Sequence, residues 1–179
     1  TKNSGIYIMN SDGNQKKFIV NEGEYPTFNT NDSRIIYQTG GVVFGNLTKE
    51  LKSVDLNGKD KKVLVKSKYA NRLVPSPDNN WIAFSHLHKV YIAPMPKSGK
   101  TIDLDNKSNY VPVSQLSKDA GINLHWSANS DNLNWTLGDA YFSSAINQRF
   151  SFLEGAPDSI PKMDTLGIKI DLKLHTTVL

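Results

Sequence analysis

The chain has 179 residues, 38% of them hydrophobic, with 12 glycines and 8 prolines, a composition typical of one globular domain with many turns. Lys and Arg outnumber Asp and Glu by 21 to 17, and this excess is scattered over turns, so no nucleic-acid binding is expected. The absence of cysteine excludes disulfides and zinc–thiolate sites. No apolar run is long enough to predict membrane insertion, and the first residues do not resemble a signal peptide.

In chain order, the predicted elements alternate between two kinds of β-hairpin. Hairpins of the first kind carry a glycine in the turn, because glycine readily adopts the positive backbone angle of a tight hairpin. The lysines that follow these turns are expected to point to water at an outer edge. The segments of this kind are residues 6–20 with Gly13, 51–65 with Gly58, and 90–104 with Gly99.

The third of these turns, KSGKT at residues 97–101, also resembles the end of a phosphate-binding loop. Such a loop needs a glycine five residues before Gly99 and a helix directly after the Lys-Thr pair. Position 94 is proline, and the residues that follow are too rich in Asp and Asn to begin a helix. We therefore predict a hairpin turn here and no nucleotide site.

Hairpins of the second kind align with one another without a gap, at spacings of 47 and 51 residues. Each is a short strand, a polar turn and an apolar strand, and each ends in the same aromatic slot, which we expect to lie in the core. SPDN at residues 76–79 is the clearest turn, since Pro presets its backbone angle and Asp or Asn tolerates the next conformations. The aligned segments are PTFNTNDSRIIYQ (26–38), LVPSPDNNWIAFS (73–85) and LHWSANSDNLNWT (124–136).

Together the two kinds of hairpin give four strands in each repeat of about 40 to 50 residues, which is typical of β-propeller blades. We predict an all-β fold with about three blades of four antiparallel strands, preceded by a half-blade at Ile6 to Val20. Propellers close with about four to eight blades. The chain is therefore expected to be a piece of a longer polypeptide, to close one ring with a second copy, or to form an open stack.

The segments WSANSDNLNW (126–135) and PSPDNNWIAF (75–84) resemble the repeats of TolB-like propellers, also called PD40 and related to WD40 propellers. Residues 90–100 and 112–143 are most similar to the propeller that precedes the catalytic domain in metal-dependent amidohydrolases, and residues 167–179 to the passage into that domain. This resemblance implies a propeller at 1–154 and an exit linker or strand at 155–179. Any divalent metal would then lie in an attached domain, with no cofactor in this chain.

Two histidines, His86 and His88, form a His-x-His pair, a spacing that places both imidazoles on one face of a strand. The pair falls where the repeat predicts a hairpin turn, and no carboxylate lies nearby in sequence. We keep His86 and His88 as candidate metal ligands and favour their assignment as exposed turn residues. Asp119 and Asp139 are expected in connections between strands, where they are candidate contacts at the rim or channel of the propeller.

No catalytic residues are predicted, because the chain has no Gly-x-Ser-x-Gly motif and Ser143-Ser144 has no recognisable base partner. Whether the parent protein is an enzyme is left open. The preferred interpretation is a non-catalytic propeller segment that supports, gates or docks to a hydrolase domain in the same polypeptide. The alternative is a free-standing module that binds a protein or peptide. The resemblance also implies a periplasmic or otherwise exported protein.

Overall fold

The computed structural model describes residues 4–29, 31, 33–41, 47–95, 97, 99–160 and 168–169. These residues form short β-strands and one 3₁₀ turn at Ile146–Gln148, and none of their helices is long and apolar enough to cross a bilayer. The strands are β1 Ile6–Ile8, β2 Lys17–Val20, β3 Glu24–Phe28, β4 Arg34–Gly40, β5 Thr48–Asp55, β6 Lys62–Lys68, β7 Ala70–Pro75, β8 Trp81–His86, β9 Lys89–Pro94, β10 Ile102–Asp103, β11 Ser114–Ala120, β12 Ile122–Trp126, β13 Asn132–Leu137, β14 Ala140–Ala145 and β15 Ile168–Lys169.

The strands group into successive antiparallel sheets that follow the order of the chain. Strands β1 and β2 form a half-blade, β3 to β6 form blade 1, β7, β8, β9 and β11 form blade 2, and β12 to β15 form blade 3. This arrangement confirms the predicted all-β fold, a partial β-propeller with three four-stranded blades and a leading half-blade. The inner strands, which begin the blades, are β3, β7 and β12.

Neighbouring blades pack face to face through three apolar clusters, so the middle strands are buried on both sides. Ile6 and Ile19 of the half-blade pack with Tyr37 of blade 1. A second cluster lies between blades 1 and 2, and a third between blades 2 and 3. The predicted aromatic slot is confirmed as core, because its three members are almost completely inaccessible to solvent: Tyr37, Phe84 and Trp135.

The aligned polar turns are the hairpins between the first two strands of each blade, and they repeat one hydrogen-bond pattern. In blade 2, Ser76 N–H donates to Trp81 O and Trp81 N–H donates to Ser76 Oγ, both at 2.9 Å. Ser127 and Asn132 make the same exchange in blade 3, and Asn29 and Arg34 make it in blade 1. A side-chain oxygen at the first turn position thus closes each hairpin.

The predicted hairpin at residues 90–104 is wrong in its pairing. Strand β10 pairs in parallel with β6 of blade 1, and the outer strand of blade 2 is instead β11, which pairs with β9. The turn chemistry was read correctly, since Gly99 has φ of 70°. The strand with which β10 pairs was predicted wrongly. Leu104, only 1% exposed, is buried in the cluster between blades 1 and 2, and burial of this leucine favours pairing of β10 with the neighbouring blade.

Strand β15 lies within the predicted exit segment 155–179 and pairs with β14 through Ile168 and Lys169. Residues 161–167 and 170–179 lie outside the described part of the chain. The domain boundary at 154 therefore stays a prediction.

Candidate functional site

The inner strands of the three blades share an irregularity in their pairing with the next strand. The register shifts between Glu24 and Thr27 in β3, and the corresponding shifts are at Ala70/Leu73 in β7 and Ile122/His125 in β12. A bulge of this kind bends a strand and re-aims a side chain. The gapless alignment of the blades places one residue of each inner strand at the same point of this irregularity: Tyr25, Arg72 and Asn123.

These three side chains converge on one cleft, at the end of the molecule where the inner strands begin. We call it the inner-strand cleft, and its volume is about 340 Å³, which is within the range of ligand-binding sites. Because blades 1, 2 and 3 each contribute a residue, the cleft exists only through their packing. The remaining residues of its wall are Asn71, Ser85, His88, Gly121, Ile122 and Leu124.

Arg72 holds the central position in the inner-strand cleft. Its guanidinium carbon lies 3.3 Å from the centre of the Tyr25 ring, a cation–π contact. Its Nη1 atom is buried and has no hydrogen-bond partner in the described part of the chain. The backbone N–H of Arg72 nevertheless has a partner, since it donates to Ser85 Oγ at 3.2 Å. Arg72 is therefore held by its backbone hydrogen bond and by the Tyr25 ring, while its Nη1 atom lacks a hydrogen-bond acceptor among the described residues.

Left-handed backbone conformations are concentrated around the inner-strand cleft. Tyr25 has φ of 52°, Asn123 has 55° and His88 has 72°. This region is common for Asn but uncommon for an aromatic residue such as Tyr, and each non-glycine instance costs about 1 kcal/mol or more. The bulge at Tyr25 thus places the ring over Arg72 at a cost in backbone energy.

Of the candidate metal ligands, His86 ends β8 and His88 is the second residue of the two-residue turn that leads to β9, so the pair lies at a hairpin turn as predicted. Leu87 and His88 both have positive φ, at 46° and 72°, which is the backbone of a type I′ turn. His88 is exposed in this turn, and its Nδ1 lies 3.3 Å from Asn71 Nδ2. The assignment of both histidines as exposed is wrong for His86, which is only 8% exposed.

Burial of His86 follows from its position at the end of β8, where two aromatic rings flank it. The His86 ring meets the rings of Tyr69 and Tyr91 edge to face, at 6.1 and 6.2 Å between centroids. Across residues 4–160, the described portions contain no group of three or more His, Asp or Glu side chains placed to hold a metal ion. Within this part of the chain no carboxylate completes a site with His86 and His88.

The candidate rim residues Asp119 and Asp139 do not line the inner-strand cleft. Asp119 is exposed within β11 rather than in a connection, and its backbone carbonyl accepts a hydrogen bond from Ser117 Oγ at 2.7 Å. Asp139 is exposed in the turn between β13 and β14, as predicted. Ser144 accepts a hydrogen bond from Arg149 Nε at 2.8 Å, so its hydroxyl has a structural contact.

A cluster of lysine and glutamate side chains in and beside blade 1 is largely neutralised by ion pairs within the cluster. Lys52 Nζ lies 3.2 Å from Glu22 and 3.4 Å from Glu50, and Lys61 also pairs with Glu22. Burial raises the pKa of the Glu22 carboxyl, but hydrogen bonds and attraction from Lys52 and Lys61 outweigh it and leave that pKa lowered. Burial and the nearby Glu22 raise the pKa of Tyr37 to about 12. This network offers little unmatched charge.

A second cleft, of about 480 Å³, lies between blades 1 and 2 at the opposite end. Its walls include Arg34 and Lys62, and both side chains form ion pairs with Asp60, at 2.8 and 3.0 Å. The inner-strand cleft differs from this second cleft because its cation, Arg72, is partly buried and has no ion-pair partner among the described residues.

Sequence reasoning missed the inner-strand cleft, although one signal was present. Tyr25, Arg72 and Asn123 occupy the column directly before the aligned segments, and all three can form hydrogen bonds. A large polar residue at one position of consecutive inner strands is a usable indicator of a shared site. The bulges that bring the residues together leave no comparable mark in the sequence.

Comparison with known proteins found no matching family model and no matching curated protein. Among solved structures, the chain is similar to the crystal structure of TolB from Acinetobacter baumannii, with a TM-score of 0.43 and 13% sequence identity. The similarity covers 80% of this chain and 47% of that one. The chain thus spans about half the length of the TolB structure that it matches.

Proposed function

We propose that this chain is a non-catalytic β-propeller segment that binds a polypeptide partner in the inner-strand cleft. The observation that carries the proposal is the convergence of Tyr25, Arg72 and Asn123 from three successive blades on that cleft. A guanidinium, a phenol ring and amide groups suit binding and orientation of a ligand. Tyr and Arg are also among the residues that contribute most to protein interfaces.

A polypeptide fits the chemistry of the cleft because polar and apolar surfaces meet there. Tyr25 is 59% exposed and Ile122 is 56% exposed, so both present apolar surface at the opening. Leu124 contributes further apolar wall, while Asn71 supplies a polar side chain. Peptides combine backbone polar groups with apolar side chains and can match such a mixed surface.

The partner predicted from the sequence is a hydrolase domain of the same polypeptide, most similar to an amidohydrolase and carrying any divalent metal itself. The alternative, a free-standing binding module, places the partner on another chain. Resemblance of the repeats supports both of these proposals, and also an exported location. Pairing with a second copy of this chain remains a further proposal, motivated by the number of blades.

Selection from a displayed library of random dodecapeptides tests the proposed function. Peptides enriched on the wild-type chain should lose binding to Ile122→Trp, which adds bulk at the opening of the cleft. Tyr110→Trp is the matched control, because Tyr110 is 84% exposed and does not line the cleft. Failure to enrich any peptide, or enrichment that Ile122→Trp leaves unchanged, would overturn the proposal.

A further inference from the structure

We infer that the inner-strand cleft recognises a peptide carboxylate, with Arg72 as the residue that binds it. This inference rests on the proposed function and adds the chemical class of the group that is bound. It follows from the state of Arg72 in the folded chain and from the charge of the residues around it.

The chain has three arginines, and two of them are matched by their own surroundings. Arg34 forms an ion pair with Asp60 at 2.8 Å and also donates to Ser53 Oγ. Arg149, only 4% exposed, donates from Nε to Ser144 Oγ. Arg72 alone among them has no ion pair or side-chain hydrogen bond within the described residues, although its Nη1 is buried. It is the arginine available to an external anion.

A buried cationic donor without a partner is costly, because it has lost its hydrogen bonds to water and has gained none in the folded chain. A ligand that supplies an anionic acceptor at Nη1 recovers this cost on binding, whereas an uncharged ligand recovers less of it. The fold therefore holds Arg72 in a state that favours an anion. Because Nη1 is closed to solvent, a ligand oxygen reaches this atom only when the Arg72 side chain or its neighbours shift.

The Tyr25 ring restricts how that anion can approach. Its contact with the guanidinium carbon, at 3.3 Å, covers one face of the planar group. The edge of the guanidinium, which carries the N–H donors, is then the part that can meet a ligand. Two parallel N–H···O bonds along this edge match the two oxygens of a carboxylate.

The charge of the cleft favours a carboxylate over a more highly charged group such as a phosphate. Among the described residues that form its wall, Arg72 is the only Lys or Arg, and none is Asp or Glu. A carboxylate carries one negative charge, while a phosphate monoester carries about 1.5 to 2 at neutral pH. One guanidinium balances the first and leaves the second partly unmatched.

The neighbouring side chains indicate what accompanies the carboxylate. Ile122 and Leu124 flank the polar residues of the cleft, so an apolar side chain beside the carboxylate would be accommodated. Two kinds of peptide provide this combination. One is a C-terminal apolar residue with its free α-carboxylate, and the other is an internal Asp or Glu beside an apolar residue.

Three synthetic tripeptides separate these possibilities: acetyl-Ala-Ala-Leu with a free carboxylate, its C-terminal amide, and acetyl-Ala-Glu-Leu amide. Each is titrated into the ¹⁵N-labelled chain, with the Arg72 Nε–H and the Ile122 and Asn123 backbone amides as reporters. At least one carboxylate peptide should bind about ten-fold or more tightly than the neutral amide, as a charged hydrogen bond predicts. The tighter of the two identifies the source of the carboxylate.

Variants of Arg72 then test its role. Arg72→Met should remove the preference for carboxylate peptides, and Arg72→Lys should retain only part of it, because an ammonium lacks the planar fork. Lys107→Gln is the control, since it removes an exposed cation that does not line the cleft. Arg72→Lys also keeps the test valid if Arg72→Met does not fold.

Failure of this inference can be distinguished from failure of the proposed function. If the neutral amide binds as tightly as the acids and Arg72→Met changes nothing, while Ile122→Trp abolishes binding, the carboxylate inference is overturned and the peptide site stands. If the library yields no peptide dependent on the cleft and the tripeptides do not perturb its resonances, both are overturned.

Discussion

The two ends of the blades differ in how their polar groups are satisfied. At the end that carries the first hairpins of each blade, which we call the turn rim, Ser76 exchanges hydrogen bonds with Trp81 and also donates to Asp78. At the opposite end, Arg72 and Tyr25 lie beside strand irregularities and left-handed backbone. The turn rim thus matches its own polar groups, while the cleft leaves a cation unmatched.

Two linked turns show that the turn rim also connects blades. Asp78 N–H donates to Ser130 Oγ across the boundary between blades 2 and 3, at 3.1 Å, and Trp126 Nε1–H donates to Val74 O of blade 2 at 2.9 Å. Repetition of matched contacts is the mark of a structural role. At the equivalent positions of the inner strands, Asn123 Nδ2 donates to Thr136 Oγ1, but Arg72 Nη1 is buried without a hydrogen-bond partner among the described residues, which points instead to binding.

The largest expected effect is at the turn rim. Ser76→Ala should lower the free energy of unfolding by about 1–3 kcal/mol, because it leaves the Trp81 N–H without its acceptor in a partly buried turn. Chemical denaturation measures the change. Ser11→Ala, at an exposed position, should change stability by less than about 0.5 kcal/mol. Equal effects of the two substitutions would mean that the hydrogen bond to Trp81 contributes no more to stability than an exposed serine does.

At the other end, a substitution in the hairpin that borders the cleft should increase stability. Leu87 is 62% exposed and has φ of 46°, and Asn is preferred at this position of a type I′ turn. Leu87→Asn should therefore raise the free energy of unfolding by about 1 kcal/mol. Thermal denaturation would show it as a higher Tm. A lower Tm would mean that the Leu87 side chain contributes packing that outweighs the backbone cost.

Acid should weaken the turn rim through Asp78. Burial raises the pKa of this carboxyl, but hydrogen bonds from Ser76, Asn80 and Ser130 outweigh it and hold the pKa below its ordinary value of 3.8. Its stabilising contribution is therefore present above pH 3.8 and is lost as the pH falls through the lowered pKa in the folded chain. Between about pH 5 and pH 3, the Asp78→Asn variant should therefore lose less of its free energy of unfolding than the wild-type chain does. Circular dichroism of the two proteins over this pH range measures the difference. An unchanged slope would exclude this role for Asp78.

The smallest expected effect is the most informative for the cleft. Arg72→Met should change the free energy of unfolding by no more than about 0.5 kcal/mol, because the buried cation it removes has no ion pair to lose. Its loss of the Tyr25 contact opposes the gain from removing the unmatched Nη1. Chemical denaturation of Arg72→Met and Ser76→Ala under the same conditions measures both changes in the free energy of unfolding. Destabilisation as large as that of Ser76→Ala would make Arg72 a structural residue.

The blade pattern was predictable from the sequence because it depends on local chemistry that repeats. Gly13, Gly58 and Gly99 all have positive φ, and Tyr37, Phe84 and Trp135 are buried, as the alignment predicted. Lysines after the glycine turns are exposed, also as predicted. Each of these features is set within one hairpin or by the side chain's own preference for apolar surroundings.

Features that depend on partners distant in sequence were missed. The exposure of His86 was mispredicted because its ring is covered by Tyr69, from the connection between β6 and β7, as well as by Tyr91 of the adjacent strand β9. The inner-strand cleft requires three bulges to coincide, and the register shift beside Arg72 depends on how β7 and β8 pair. Local propensity does not determine such pairing.

The parallel pairing of β10 with β6 has a consequence for a growing chain. Val65 and Lys66 pair with Ile102 and Asp103, so this part of the outer edge of blade 1 is covered only after most of blade 2 has been synthesised. Until then β6 presents unpaired backbone groups, which can recruit strands from other chains and promote aggregation. The same pairing joins two blades that would otherwise be completed one after the other, so blade 1 depends for its protection on residues that follow blade 2's third strand.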